Sequence, residues 1–322
     1  MSTRLVLDCD TGTDDAVAIM AGVGHPDLDL VAITTVNGNV ALQHSTENTL
    51  RALEHVGATV PVHPGSPRPL VRPDLPIPRD VLNADNPDFQ VAELDLAPSH
   101  SRPSESSAVR FLIDFFADRA NDDVALVATG PLTNIALAVA AEPGLANRIS
   151  RLVLMGGAHL GGNVTPVAEF NIWADPEAAR MVLSAGIADV VIFGLDATHS
   201  VPLTLADCDH LDRIGTPAGT ASATMVRHRI RQDQGTYPDA DLPSAPVHDP
   251  LCLAYLVNPE VITEGGRFPV SVETAGEQTL GQLILDTRPW APEPPNATVA
   301  LRASAELYRE FLFDGCGARG GN

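Results

Sequence analysis

Four carboxylates fall within eight residues in the segment Asp8-Cys9-Asp10-Thr11-Gly12-Thr13-Asp14-Asp15. Oxygen donors at this density hold a hard cation such as Ca2+ or Mg2+, rather than zinc, or share catalytic protons. Without such a role their mutual repulsion is costly. Helix capping accounts for one or two of these acids, because Asp is favoured at N-caps and first turns, but not for all of them. Asp8 and Asp10 share one face of an extended strand. Gly12 permits a sharp turn, and Asp14 and Asp15 then enter a helix.

The elements that must carry these acids follow from the apolar pattern. Strands are expected over residues 4–9, 30–36, 124–129, 151–155 and 188–193, and helices over 14–24, 42–56, 132–141 and 176–185. The strands are almost wholly apolar, as in a parallel sheet covered on both faces. Strand and helix alternate, which predicts an α/β fold with a mostly parallel open sheet. The acid cluster then sits at the C-terminal end of the first strand, where open α/β sheets bind ligands. Long loops are expected at 62–78, 85–103 and 232–246. A small antiparallel addition is expected from strands at 268–272 and 281–285, and a closing helix at 303–313. No repeat or linker divides the chain, so residues 1–322 are taken as one catalytic domain with a frayed tail over 315–322.

Composition narrows the function. The chain has 322 residues, 44% of them hydrophobic, and a net charge of -21. All 20 cationic residues are Arg; there is no Lys. So acidic a chain repels phosphodiester backbones and anionic membranes, and neither a nucleic-acid polymer nor a membrane is expected as partner. No apolar run is long enough to span a bilayer. Four dispersed cysteines without a CxxC pair suggest reduced thiols. The first residues enter a strand-like run with no secretory signal pattern, so a cytoplasmic location is expected.

The acid segment, continued by Ala16, resembles the DxDxGxDDA signature of the inosine-uridine-preferring nucleoside hydrolases. Further segments match that family in order. They are Asn37-Gly38-Asn39, then 128–136 with Thr129 to Ala136, then Met155-Gly156-Gly157-Ala158. Gly162 to Pro166, Ala168 to Ile172, Ala174 to Ala179, and Val247-His248-Asp249-Pro250 follow. The resemblance implies a calcium-dependent hydrolase that cuts the N-glycosidic bond of a ribonucleoside, working as a homodimer or homotetramer. It implies that Asp10, Asp15, Asp249 and the carbonyl of Thr129 hold Ca2+. Asp10 would also be the general base toward a Ca2+-bound water. Asp14, Asn171 and Asp249 would meet the 2′ and 3′ hydroxyls, Asn163 and Glu169 the 5′ hydroxyl. Asn39 would lie beside the water and the sugar, and His248 beside the departing base. Each residue also has a plainer reading: Asn39, Asn163 and Asn171 as turn residues, Asp249 as a helix start, His248 as a surface histidine, Asp8 as a buried partner, Asp175 as the cap of the helix beginning at Pro176.

The sequence departs from the pattern near the base. The His-Gly pair that many members carry after the first long loop is missing, leaving Asn83, Asn86 or Phe89 in its place. If His248 does not assist the departing base, Asn83, Asn86, Tyr237 or a water is the candidate acid. Position 11 is Thr where Pro is common, and the segment 277–281 lacks an Arg. With only Trp173 and Trp290, a tryptophan sandwich around the base is not expected. Two rival readings remain. A phosphatase of the haloacid dehalogenase type would use Asp8 as nucleophile, but would need a downstream cation for phosphate. A non-catalytic calcium-dependent nucleoside or ribose binding protein would keep the sugar contacts without turnover.

Overall fold

In the computed structural model, residues 2–82, 91–236 and 243–317 are described. Asn83, Asn86, Phe89 and Tyr237 lie outside them. The chain opens with β1 (Thr3–Cys9), α1 (Thr13–Gly24), β2 (Leu28–Thr35), α2 (Leu42–His55) and β3 (Val62–Pro64). Then come α3 (Arg79–Leu82), α4 (Ala108–Ala117), β4 (Ala125–Ala128), α5 (Thr133–Ala141), β5 (Leu152–Met155), α6 (Phe170–Ala174), α7 (Pro176–Leu183) and β6 (Val190–Phe193). Next are α8 (Leu195–Thr198), β7 (Leu203–Thr204), α9 (Leu205–Ile214), α10 (Pro217–Thr236), β8 (Ser244–Ala245) and α11 (Pro250–Val257). The last are β9 (Ile262–Phe268), β10 (Val270–Val272), β11 (Leu283–Leu285), β12 (Ala297–Ala303) and α12 (Ala305–Gly317).

Eight strands form one sheet in the order β3-β2-β1-β4-β5-β6-β12-β9. All its pairings are parallel except β12 with the edge strand β9. The expected α/β class and mostly parallel sheet are therefore present. Strand β1 shows why helices cover both faces: Leu5 and Leu7 pack into one core, Val6 into the other. Strand order reverses between β1 and β4, which creates the crevice that such sheets offer to ligands.

Differences from the expected elements have local causes. The apolar stretch 268–272 is split at Pro269, which has no N–H to give a ladder. Phe268 therefore ends β9 against Ala297 of β12, and Val270 starts a separate antiparallel pair with Leu285. Helix α12 continues through Gly317, so the first residues of the expected frayed tail are helical. Gly315 is buried there, and a Cβ at that position would lie 2.4 Å from the Ala21 carbonyl oxygen. The Pro-rich stretch from Val62 opens as strand β3, and the stretch from Gln232 begins inside α10.

Candidate active site

The crevice between β1 and β4 gathers the acids. Asp8, at the end of β1, pairs with Ala128 of β4, and the Thr129 N–H donates to the Asp8 carbonyl at 2.8 Å. Asp8 itself is fully buried. Its Oδ1 accepts from Thr34 Oγ1 at 2.5 Å and Asn134 Nδ2 at 2.7 Å, while its Oδ2 has no partner. Burial raises its pKa to about 7. A carboxylate enclosed in this way is not a nucleophile open to a phosphoester. It ties β1 to β2 and α5, and Asn134 extends the tie to Ser66 N at 2.8 Å.

Asp10 lies just beyond β1. Its Oδ2 accepts the Asn39 N–H at 2.5 Å, and its Oδ1 faces Asn39 Nδ2 at 3.4 Å. Two glycines allow this approach. A Cβ on Gly38 would stand 2.0 Å from Asp10 Oδ2, and one on Gly130 3.0 Å from Asp10 Oδ1. Asp15 is buried in the first turn of α1, where its carboxylate accepts Gly12 N at 3.0 Å and Thr129 Oγ1 at 2.7 Å. Burial, opposed by these bonds, holds its pKa at about 7. Asp14, beside it, accepts the His248 N–H at 3.0 Å, which links α1 to the segment before α11.

Asp249 distinguishes a site from a simple helix start. It precedes α11 with helical dihedrals, yet its side chain makes no capping hydrogen bond. The carboxyl is buried, and burial together with the charges of Asp15, Asp14 and Asp10 pushes its pKa well above the usual range. Desolvation and Asp15 raise Asp10 in the same direction. A buried carboxylate that makes no capping bond and lies among the charges of three other acids favours a proton or a cation.

The structure therefore brings Asp10, Asp14, Asp15, Thr129 and Asp249 to one place. Asn171 joins them, since its Nδ2 donates to the Thr129 carbonyl at 2.9 Å and to the Met155 carbonyl at 3.1 Å. Glu169 caps α6, with Asn171 N at 2.9 Å, Ile172 N at 3.2 Å and Gly157 N at 2.8 Å on its oxygens. Burial still raises its pKa to about 7. Asn163 is the outlier: it is exposed, and its Oδ1 accepts the Phe170 N–H at 3.0 Å. Asp175 caps α7 through Ala178 N at 3.1 Å.

Among the described residues no three His, Cys, Asp or Glu side chains converge as a ready-made coordination group. Asp10 and Asp15 turn toward nearby N–H and O–H donors instead. The donor set nonetheless fits a hard divalent cation. It consists of oxygens alone, three of the carboxylates are fully or almost fully buried, and Asp249 lies among the charges of Asp15, Asp14, Asp10 and Glu169.

His248 lines the other side. Its Nδ1 shares a hydrogen bond with Thr198 Oγ1 at 2.8 Å, and its ring lies 5.6 Å from that of His199. Burial, reinforced by Arg229 and His199 and opposed by Asp14, lowers its pKa to about 3. The ring is thus neutral at physiological pH. His199, Arg229 and Asp233 form the surroundings of this side, and no local motif marks them. Arg229 and Asp233, an i,i+4 pair at 3.6 Å, lie in α10, whose apolar pattern is weak. Trp173 is buried against Phe170, and Trp290 is 74% exposed.

Comparison with known proteins points to one family. The profile of the family described as inosine-uridine preferring nucleoside hydrolase matches residues 5–310. A pyrimidine-specific ribonucleoside hydrolase, RihA of Shigella boydii serotype 4 (strain Sb227), is 36% identical over 98% of each chain. RihB of Escherichia coli (strain SE11), also pyrimidine-specific, is 34% identical over 95% of this chain and 94% of its own. Among solved structures, a purine-preferring ribonucleoside hydrolase from Gardnerella vaginalis superposes with a TM-score of 0.86, at 30% identity and 98% coverage of both chains.

Proposed function

The chain belongs to the inosine-uridine preferring nucleoside hydrolase family and is a ribonucleoside hydrolase, and from that premise we propose that it works with Ca2+ and with Asp10 as general base. Asp10, Asp15, Asp249 and the Thr129 carbonyl would hold the ion. When bound, Ca2+ offsets the charge of the cluster and acidifies a water beside it. The observation that carries this reading is Asp249, a buried carboxylate that makes no capping bond to its helix and lies among other acids.

Asp10 takes a proton from the attacking water as the water oxygen bonds to the anomeric carbon. The N-glycosidic bond breaks with its electron pair leaving on the base. Asn39 keeps the Asp10 carboxylate aimed through its N–H. The acids also stabilise the positive charge that develops on the ribosyl ring. Asp14, Asp249 and the side-chain carbonyl of Asn171 receive the 2′ and 3′ hydroxyls. Glu169 retains lone pairs beyond its two capping bonds and its bond to Gly157 N, and with the Asn163 amide it would meet the 5′ hydroxyl. His248 stands by the departing base. As a neutral ring it offers a hydrogen bond to that base rather than a stored proton.

Metal analysis of the purified protein tests the ion, and a reducing-sugar assay over purine and pyrimidine ribonucleosides tests the chemistry. The expected result is bound Ca2+ and ribose release that a chelator abolishes and Ca2+ restores. Zinc in its place, or undiminished turnover in chelator-stripped protein, would overturn the reading.

A further inference from the structure

Arg79 is a cation set against the turn that aims the candidate base. Its Nε donates to the Gly38 carbonyl at 2.9 Å, and its Nη2 to the same carbonyl at 2.6 Å. Nη2 also reaches Asn37 Oδ1 at 2.8 Å and the Val40 carbonyl at 3.4 Å. The guanidinium thus holds three successive parts of the 37–40 turn. Asn39 lies within that turn, and its N–H is the donor on Asp10 Oδ2. On the side toward Asp10 there is no slack: a Cβ on Gly38 would be 2.0 Å from Asp10 Oδ2 and 2.7 Å from Pro131 Cδ. The turn is therefore fixed between the carboxylate and the guanidinium.

The segment that carries Arg79 is itself anchored to the site. Leu75 and Leu82 pack with Trp173 and Ala174 of α6, the helix that carries Asn171. Leu70 N donates to Asp175 at 2.6 Å, and Ser66 N to Asn134 at 2.8 Å. The planar fork of an arginine suits this task, because it presents several donors in fixed directions to converging carbonyls; an ammonium is a point charge on a flexible stem.

We propose that Arg79 is a positioning residue for the hydrolysis, fixing the 37–40 turn so that Asn39 aims the Asp10 carboxylate at the water. The proposal rests on the reading of Asp10 as the base. Arg79 touches no reacting atom, so its loss reaches turnover only through Asp10.

A double-mutant cycle tests this. Arg79→Ala should lower kcat about 10- to 100-fold, the scale expected when a catalytic group is misplaced by about 1 Å. The loss should be equal on inosine and on p-nitrophenyl riboside, with KM changed by less than about threefold, and added guanidinium should restore part of the rate. In an Asp10→Asn background the same change should cost less than about twofold, since residues acting as one unit are not additive. A kcat within about twofold of the parent, or the full loss repeated in the Asp10→Asn background, would overturn the proposal. Near-normal turnover of Asp10→Asn alone would instead overturn the reading of the base, and the proposal with it. If thermal unfolding shows that Arg79→Ala does not fold, Arg79→Lys carries the same cycle, with a smaller loss expected and the same two overturning results.

Discussion

Asp10, Asp15 and Thr129 stand at the ends of two paired parallel strands and the helix that follows one of them, whereas His248, His199 and Arg229 come from three separate segments. The acid side is locked by the ladder itself: Thr129 N–H to the Asp8 carbonyl at 2.8 Å and Val36 N–H to the Cys9 carbonyl at 2.9 Å. The histidine side joins it through side chain and backbone rather than through a ladder, with the His248 N–H on Asp14 at 3.0 Å. Within that side the contacts include ring to hydroxyl, ring to ring and the Arg229–Asp233 pair. A floor built on strand ends can serve one sugar for every substrate, while a wall assembled from helix ends and loops can vary with the base. The two sides should therefore respond differently to mutation.

The largest effect is expected on the floor. Asp10→Asn keeps the shape of the side chain but removes the proton acceptor, and turnover should fall at least about a hundredfold on all nucleosides, the scale of general-base contributions. Steady-state kinetics on inosine, uridine and p-nitrophenyl riboside would measure it. A loss confined to one base would break the comparison, because the floor would then be selecting the base.

A smaller and selective effect is expected on the wall. His248→Ala should slow inosine or uridine cleavage about tenfold, the scale of one lost hydrogen bond to the departing base, yet barely slow p-nitrophenyl riboside. That leaving group departs without help. Equal losses on both would mean that the His248 ring positions the sugar or the neighbouring Asp249 instead, and so belongs to the floor. No loss on either would return the histidine to a purely structural position.

The smallest effect is expected at Trp290, which stands in the open at 74% exposure. Trp290→Ala should leave unfolding free energy within about 0.5 kcal/mol and both kinetic constants nearly unchanged, as for exposed positions without special contacts. A clear rise in KM for purine nucleosides would show that Trp290 stacks on the base after all.

Much of the floor was legible in the sequence. Four acids around one strand end have few stable arrangements, and the alternation of apolar strands with helices put them at the carboxyl edge of a parallel sheet. Asp175 was readable as the cap of α7 because Pro176 marks the first helical position. The wall was harder to read. His248 and Asp249 stood out only through their order relative to the other motifs, and neither His199 nor the Arg229–Asp233 pair has a local signal. Asn134 was visible within a motif, but its bonds to Asp8, the Thr35 carbonyl and Ser66 join residues far apart in the chain. Arg79 directly follows the Pro-rich stretch 62–78 read as loop, and no motif marked it.

By itself, then, the sequence determined the α/β class, the acid floor and the family, because each rests on residue types at short, regular spacing. Tertiary structure decided what each acid is bonded to, since that depends on what surrounds each one after folding. Asp15 finds Gly12 and Thr129, Asp8 finds Thr34 and Asn134, and Asp249 makes no capping bond and lies among other acids. It also decided that His248 is neutral, because burial and the approach of Arg229 and His199 from other segments outweigh the nearby Asp14. Spacing along the chain carries neither fact, for desolvation and charge act through space.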